Sequence, residues 1–307
     1  MKKIIIAANP GGISNRIKCL ISMWRFSDKY NKKLFLNWIK NDRCGAEFNE
    51  LFENDFNQIS DEEIKNLNSE DYIISDTWRF LTLKDEVPDK FAKEYPTPRG
   101  NNIDFEFDRI PLKVREDIIS YLKRLVPIKE IRNQVKWFDK KYNLPNTIGL
   151  HIRRGDFLDG KEGLGKVSTD DKFIEKIKLI SSKVPTMKFL LCTDELEIED
   201  KFLKEFGNKM IIYPKVDRKR DNLECTKDGL IDLLLLSKTK YIIGTYKSTF
   251  NELAWWFGGC NAQVEILIDG DLKEQYEIKK KKLSKSKYNK FKKWCYRRLH
   301  RVKGGKV

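Results

Sequence analysis

His151-Ile-Arg-Arg-Gly-Asp156 is the stretch of this chain best equipped for chemistry. It follows Asn146-Thr-Ile-Gly-Leu150, an alternating run that reads as a buried strand of a parallel sheet. Open α/β sheets bind ligands beyond the carboxyl ends of their strands, so Arg153 and Arg154 stand where a ligand would be held. A guanidinium keeps its charge and forks onto phosphate oxygens in a way lysine does not. The expected ligand is a diphosphate, and a diphosphate leaving a sugar fits the same chemistry. The plainer alternative is a surface arginine pair neutralised by Asp156.

Two further segments carry candidate groups. Asp228-Gly-Leu-Ile-Asp232 lies in a helical pattern that feeds a strand over 241–244, followed by the hydroxyl-rich turn Thr245-Tyr-Lys-Ser-Thr249 and another helix. Ser248 and Thr249 sit near that helix's N-terminus, where free N–H groups and the dipole attract phosphate. A purely structural role is equally open there, with Thr249 and Glu252 forming a capping box. Asp232 is suited to accept hydrogen bonds from the N–H groups of a guanine ring, the alternative being an exposed aspartate on a helix face. Phe189-Leu-Leu-Cys-Thr-Asp-Glu195 reads as a strand ending in Asp194, placed either to bind a nucleoside or to cap the next helix. His151 lacks any nucleophile elbow to serve, and reads as a packing or supporting histidine. Asp269-Gly-Asp271 resembles a metal-binding D-x-D but equally an Asp-Gly turn, which we favour. Gly11-Gly12 lacks the spacing of a P-loop or dinucleotide fingerprint.

The elements that must position these groups fall into two βα series. The first runs from a strand over 3–8 through a turn at 11–16 and a helix over 17–30 to a strand over 33–38. Proline-rich loops between 83 and 111 precede two helices, 114–125 and 128–141. The second series starts at 147 and alternates strands at 147–152, 188–192, 210–213, 241–244 and 264–268 with helices at 172–182, 197–206, 228–237 and 249–257. The expected fold is α/β, with Rossmann-like domains over 1–142 and 143–270, a ligand cleft between them, and a tail over 271–307.

Composition excludes several classes. Six scattered cysteines with no C-x-x-C pair, and only two histidines, argue against a disulfide framework or a zinc site and suit a reducing cytosol. The apolar start, Ile4-Ile-Ile-Ala-Ala8, is too short for a signal peptide, and no run approaches a membrane-spanning length. The formal net charge is +15, yet fourteen Lys/Arg and no acid fall between Lys279 and Val307, so the body is almost neutral.

Taken together, His151-Ile-Arg-Arg-Gly-Asp156, the Asp232–Ser248 segment, Thr193-Asp194-Glu195 and Gly11-Gly-Ile-Ser-Asn-Arg16 resemble the GDP-fucose-dependent fucosyltransferases. That superfamily takes in the α1,2-, α1,6- and nodulation-type enzymes and, more distantly, the protein O-fucosyltransferases. The resemblance is most specific from 147 to 257. The 36–52 stretch, with Trp38, Cys44, Leu51 and Phe52, also looks like bacterial members. It implies a GT-B-type glycosyltransferase of two Rossmann-like domains that needs no metal or other cofactor. Arg153 would contact the β-phosphate as the main catalytic group, with Arg154 a second phosphate or positioning contact. Asp232 would read guanine, Asp194 the nucleoside and Ser248 a phosphate, while Asn15 would face the donor from the first domain. His151, Asp156, Lys247 and Thr249 complete the expected donor site. Some relatives carry an acceptor base ten residues after the motif histidine. That position is Lys161 here, which leaves Asp159 and Glu162 as the candidates.

Leu283, Tyr288, Phe291, Trp294, Leu299 and Val302 recur at roughly helical spacing among the basic residues of the tail. This is the pattern of an amphipathic helix on an anionic membrane surface, where each basic residue contributes about 1 kcal/mol. The expected location is cytoplasmic, at the inner face of the membrane, with a cell-surface or lipid-linked glycan as acceptor. Nucleic acid, the competing partner for such a tail, is not expected, because the body lacks basicity.

Overall fold

The computed structural model describes residues 4–81, 112–155, 167–215 and 221–268. Asp156, Asp159, Lys161, Glu162, Asp269, Asp271 and the tail lie outside the described residues.

Two parallel sheets organise the chain. The first consists of β1 (Ile4–Ala7), β2 (Lys33–Leu36), β3 (Asn57–Gln58) and β4 (Tyr72–Ser75), in the order β3-β2-β1-β4. The second consists of β5 (Ile148–Ile152), β6 (Phe189–Thr193), β7 (Met210–Ile211), β8 (Tyr241–Thr245) and β9 (Gln263–Leu267), in the order β7-β6-β5-β8-β9. Every pairing is parallel. Each series therefore starts in the middle of its sheet and reverses direction there. That leaves a crevice at the carboxyl end of β1 and another at that of β5, the places where doubly wound sheets take ligands.

Helices α1 (Ile13–Tyr30), α2 (Asp61–Lys65), α3 (Leu112–Arg124) and α4 (Lys129–Tyr142) accompany the first half. Helices α5 (Asp170–Lys183), α6 (Leu196–Phe206), α7 (Leu223–Leu236) and α8 (Thr249–Phe257) accompany the second. The alternation of the strands explains how the second sheet is covered on both faces. Leu150, Phe189, Leu191 and Ile243 point to one core with Phe173, Ile177 and Phe202, while Leu190, Cys192 and Ile242 point to the other. This other core runs without a break into the first half, through Ile5, Ile17 and Leu20 to Trp255 and Trp256. The residues up to Leu267 thus form one compact unit.

Contacts of several kinds weld the halves. Lys18 of α1 and Glu252 of α8 form a buried ion pair, their side chains 1% and 7% exposed. Phe80 meets Trp256 edge to face at 4.9 Å. Gly45 lies so close to the backbone of Asp221 and Asn222 that an added Cβ would stand 2.2 Å from a backbone carbon, and its N–H donates to the Thr226 hydroxyl at 3.0 Å. Trp38, Cys44, Leu51 and Phe52 are all buried around this loop.

Candidate active site

The carboxyl end of β5 is built by its neighbours. The β5–β8 ladder stops at His151 opposite Gly244. Beyond it Thr245 takes over: its hydroxyl donates to the His151 carbonyl (3.1 Å) and accepts the Arg153 N–H (2.9 Å). On the other side Asp194, just past β6, accepts the Arg154 N–H through Oδ1 (2.9 Å) and pairs with Arg153 Nη1 through Oδ2 (2.8 Å). Asp194 therefore does not cap α6, whose N-cap is Glu195.

The two arginines have different surroundings. Arg154 is buried and its guanidinium is committed, donating to Asp170 Oδ1 (2.5 and 3.0 Å), the Ser168 carbonyl (2.9 Å) and the Arg153 carbonyl (2.8 Å). All of these acceptors belong to the protein itself. Arg153 keeps its side chain 17% exposed, aimed by a carboxylate that is itself 16% exposed. An ion pair left partly open to solvent lets the fork turn to a ligand oxygen.

His151 is buried, with its ring stacked on Phe250 at 4.6 Å. Burial, with the Arg153 cation as the next cause, pushes its imidazole down to about 3, so the ring is neutral and packs the crevice floor. The β8–α8 turn closes the opposite wall. Gly244 allows Asn251 to approach the strand, since a Cβ there would stand 2.4 Å from Asn251 Nδ2, which donates to the Thr245 carbonyl (2.8 Å). Lys247 holds a left-handed backbone, φ 57°, an unusual conformation for a residue with a side chain. Ser248 is the N-cap of α8 and accepts the Phe250 N–H at 3.3 Å, with Thr249 as the first helical residue. The capping box between Thr249 and Glu252 does not form, because the cap lies one residue earlier and Glu252 reaches Lys18 instead.

Asp232 sits on α7 and is buried. Lys215 Nζ lies 3.1 Å from its Oδ2 and 2.8 Å from Glu199 Oε1. Asp232 Oδ1 is buried and has no hydrogen-bond partner among the described residues. The cluster shares its charge unevenly. Burial opposes the charge on Lys215, yet Asp232 and Glu199 hold its pKa above the ordinary lysine value. Asp232 has one cation against its burial and is pushed up to about 6. Lys215 and Glu199 had no local signature, because they lie far from Asp232 along the chain and meet it only through the sheet.

The first crevice is assembled from two asparagines and a buried arginine. The helix there begins at Ile13, so Asn15 and Arg16 belong to its first turn instead of the expected loop over 11–16. Asn9 Oδ1 accepts the Gly11 N–H (2.8 Å) while its amide donates to the Thr77 carbonyl (3.0 Å). Arg16 is buried and donates to the carbonyls of Gly11 (2.6 Å) and Ile39 (2.7 Å). Asn15 Oδ1 is buried and without a partner among the described residues, as is His151 Nδ1. No group of three or more His, Cys, Asp or Glu among the described residues could hold a metal ion, and no described helix is long and apolar enough to cross a membrane.

Neither a protein-family model nor a curated protein sequence matches the chain. Solved structures do. NodZ, an α-1,6-fucosyltransferase soaked with GDP-fucose, superposes with a TM-score of 0.52 at 17% identity, covering 84% of this chain and 93% of its own. A NodZ structure from Bradyrhizobium gives 0.51 at 17% identity over 83% and 91%. POFUT1 in complex with GDP-fucose gives 0.51 at 10% identity over 87% and 98%. The chain has the fold of NodZ and POFUT1. It is the two-sheet GT-B arrangement that the motifs implied, and it covers nearly the whole of both relatives.

Proposed function

We propose that the protein is a glycosyltransferase that moves fucose from GDP-fucose, with inversion, to a hydroxyl of a cell-surface or lipid-linked glycan. The observation that carries this reading is the β5 crevice itself. It combines one aimed and partly open guanidinium, Arg153, with a helix N-terminus at Ser248 and a buried carboxylate oxygen on Asp232 that still lacks a donor. The shared fold with two proteins crystallised with GDP-fucose supports the same reading.

The chemistry follows from charge. As the bond from the sugar's anomeric carbon to the phosphate oxygen breaks, negative charge grows on GDP. Arg153 and the N–H groups at the start of α8 are placed in advance to receive it. Arg154 and Asp194 hold Arg153 in position. Asp232 takes the guanine N–H groups, Ser248, Thr249 and Lys247 line the phosphate wall, and Asn15 faces the donor from the first crevice. Asp156 and the base candidates, Asp159 and Glu162, complete the assignment. The acceptor hydroxyl would attack the anomeric carbon from the face opposite the leaving GDP and give up its proton to that base. Another GDP-sugar as donor is the near alternative. Attachment of the 279–307 tail to an anionic membrane would bring the enzyme to a lipid-linked acceptor.

The test is a thermal-shift screen of nucleotide sugars against the purified protein. GDP and GDP-fucose should raise the melting temperature and UDP-sugars should not. A rise with UDP-sugars, or with GDP-mannose but not GDP-fucose, would overturn the fucosyl reading.

A further inference from the structure

Asp232 does not have its buried cation to itself. Lys215 is shared between two buried carboxylates, Glu199 at 2.8 Å and Asp232 at 3.1 Å. Uncompensated buried charge is costly, and replacing such a cluster by apolar groups is commonly neutral or stabilising. The open Oδ1 of Asp232 adds to that cost. A group with this surroundings fits a ligand that arrives with donors.

We propose that Lys215, tethered by Glu199, keeps Asp232 in its acceptor-only form and thereby makes the site select guanine over adenine. This rests on the assignment of Asp232 to the base. Guanine offers adjacent N–H donors at N1 and its 2-amino group, which an ionised carboxylate can accept with both oxygens. Adenine's corresponding edge offers one donor and one acceptor, which suits a protonated carboxyl. The protonation state of Asp232 is therefore a choice between bases, and Lys215 makes that choice without touching the ligand. It is a positioning residue for specificity.

The other groups around Asp232 do not compete for this role. Glu199 on α6 and Asp228, one turn earlier on α7, both push Asp232 toward its neutral form. The Cys192 thiol on β6 donates to the Asp232 carbonyl (3.6 Å), and burial raises it well above its usual range, so it stays neutral. Tyr213 is likewise held neutral, pushed up to about 12 by burial and then by Asp228 and Asp232. His151 is neutral as well. Lys215 is the one described cation in ion-pair contact with Asp232.

The experiment is a calorimetric titration of GDP and ADP from about pH 5 to about pH 8, on the full-length protein and two variants. Glu199→Gln leaves Lys215 entirely to Asp232. The double variant K215M/E199Q removes the cation without stranding Glu199. In the unmodified protein GDP affinity should decline as pH falls below about 6, by about tenfold per unit once Asp232 binds a proton in the free protein. E199Q should move that midpoint down and K215M/E199Q should move it up. At neutral pH the double variant should lose about tenfold or more of the GDP-over-ADP preference. A purely structural role would not shift the midpoint in opposite directions. Unchanged midpoints with an intact GDP preference would overturn the inference and leave the guanine assignment standing. No preference for GDP over ADP in the unmodified protein would overturn the assignment and the inference with it.

Discussion

The two crevices of this molecule share one topology and differ in what lies at their mouths. In each, the first strand of the series occupies the switch point of a parallel sheet and a helix or turn follows at once. In each, a buried arginine close behind the strand ties backbone carbonyls together, Arg16 at β1 and Arg154 at β5. Among the described residues, the second adds Arg153, paired with Asp194 and 17% exposed. The second also adds a buried carboxylate with an unpartnered oxygen among the described residues, whereas the first offers the Asn15 amide oxygen and the Arg16 Nη2. Topology makes a crevice. On the proposed reading, the charged groups gathered at the end of β5 are what fit that crevice to a diphosphate.

That contrast can be broken most sharply at Arg153. Arg153→Ala should lower turnover of GDP-fucose by about 10³-fold, in the range seen when one preplaced donor to a developing oxyanion is removed, while circular dichroism and melting temperature stay near those of the unmodified protein. Arg153→Lys should recover part of the loss at best, since lysine keeps the charge without the fork.

The weld between the crevices is next. Lys18→Met takes the buried cation away from Glu252 and should cost about 3 kcal/mol in denaturant unfolding, whereas K18M/E252M should recover most of it, because an apolar replacement removes the buried carboxylate as well as the pair. A smaller effect is expected at Arg154. Arg154→Met should cost about 2 kcal/mol, discounted because Asp170 is partly exposed and keeps Lys201 at 2.9 Å. It should also cut turnover, so the two adjacent arginines would separate into one that affects activity alone and one that affects both. Ser248→Ala removes a cap and should cost about 1 kcal/mol, with a several-fold rise in KM for the donor.

Much of the second half was legible because its central strands β5, β6 and β8 are buried almost throughout and carry a clear apolar signal. Strands β5, β6, β8 and β9 and helix α8 lie within a residue or two of their expected bounds. The first half was less legible. Strand β3 is two exposed polar residues, β4 is four residues between polar turns, and α2 is a single capped turn, so none carries a period long enough to read. Strand β7 ends at Ile211, before Pro214 and Lys215. The start of α1 was hidden because Gly12 caps it with no side-chain hydrogen bond. At the site, strand ends placed Arg153, Asp194 and Ser248 directly. The partners that tune them, Asp170, Thr245, Lys215 and Glu199, come from distant segments and had no sequence pattern to betray them.

The central claim, that the β5 crevice takes the guanine diphosphate through Arg153, is tested most directly by calorimetric titration of GDP and UDP into the unmodified protein, Arg153→Ala and Asn15→Ala. GDP should bind the unmodified protein and UDP should not. Arg153→Ala should weaken GDP binding by about tenfold to a hundredfold, the range for a charge-assisted hydrogen bond, and Asn15→Ala should weaken it far less. Equal binding of UDP, or an affinity for GDP that survives Arg153→Ala and falls with Asn15→Ala, would place the donor elsewhere and contradict the account.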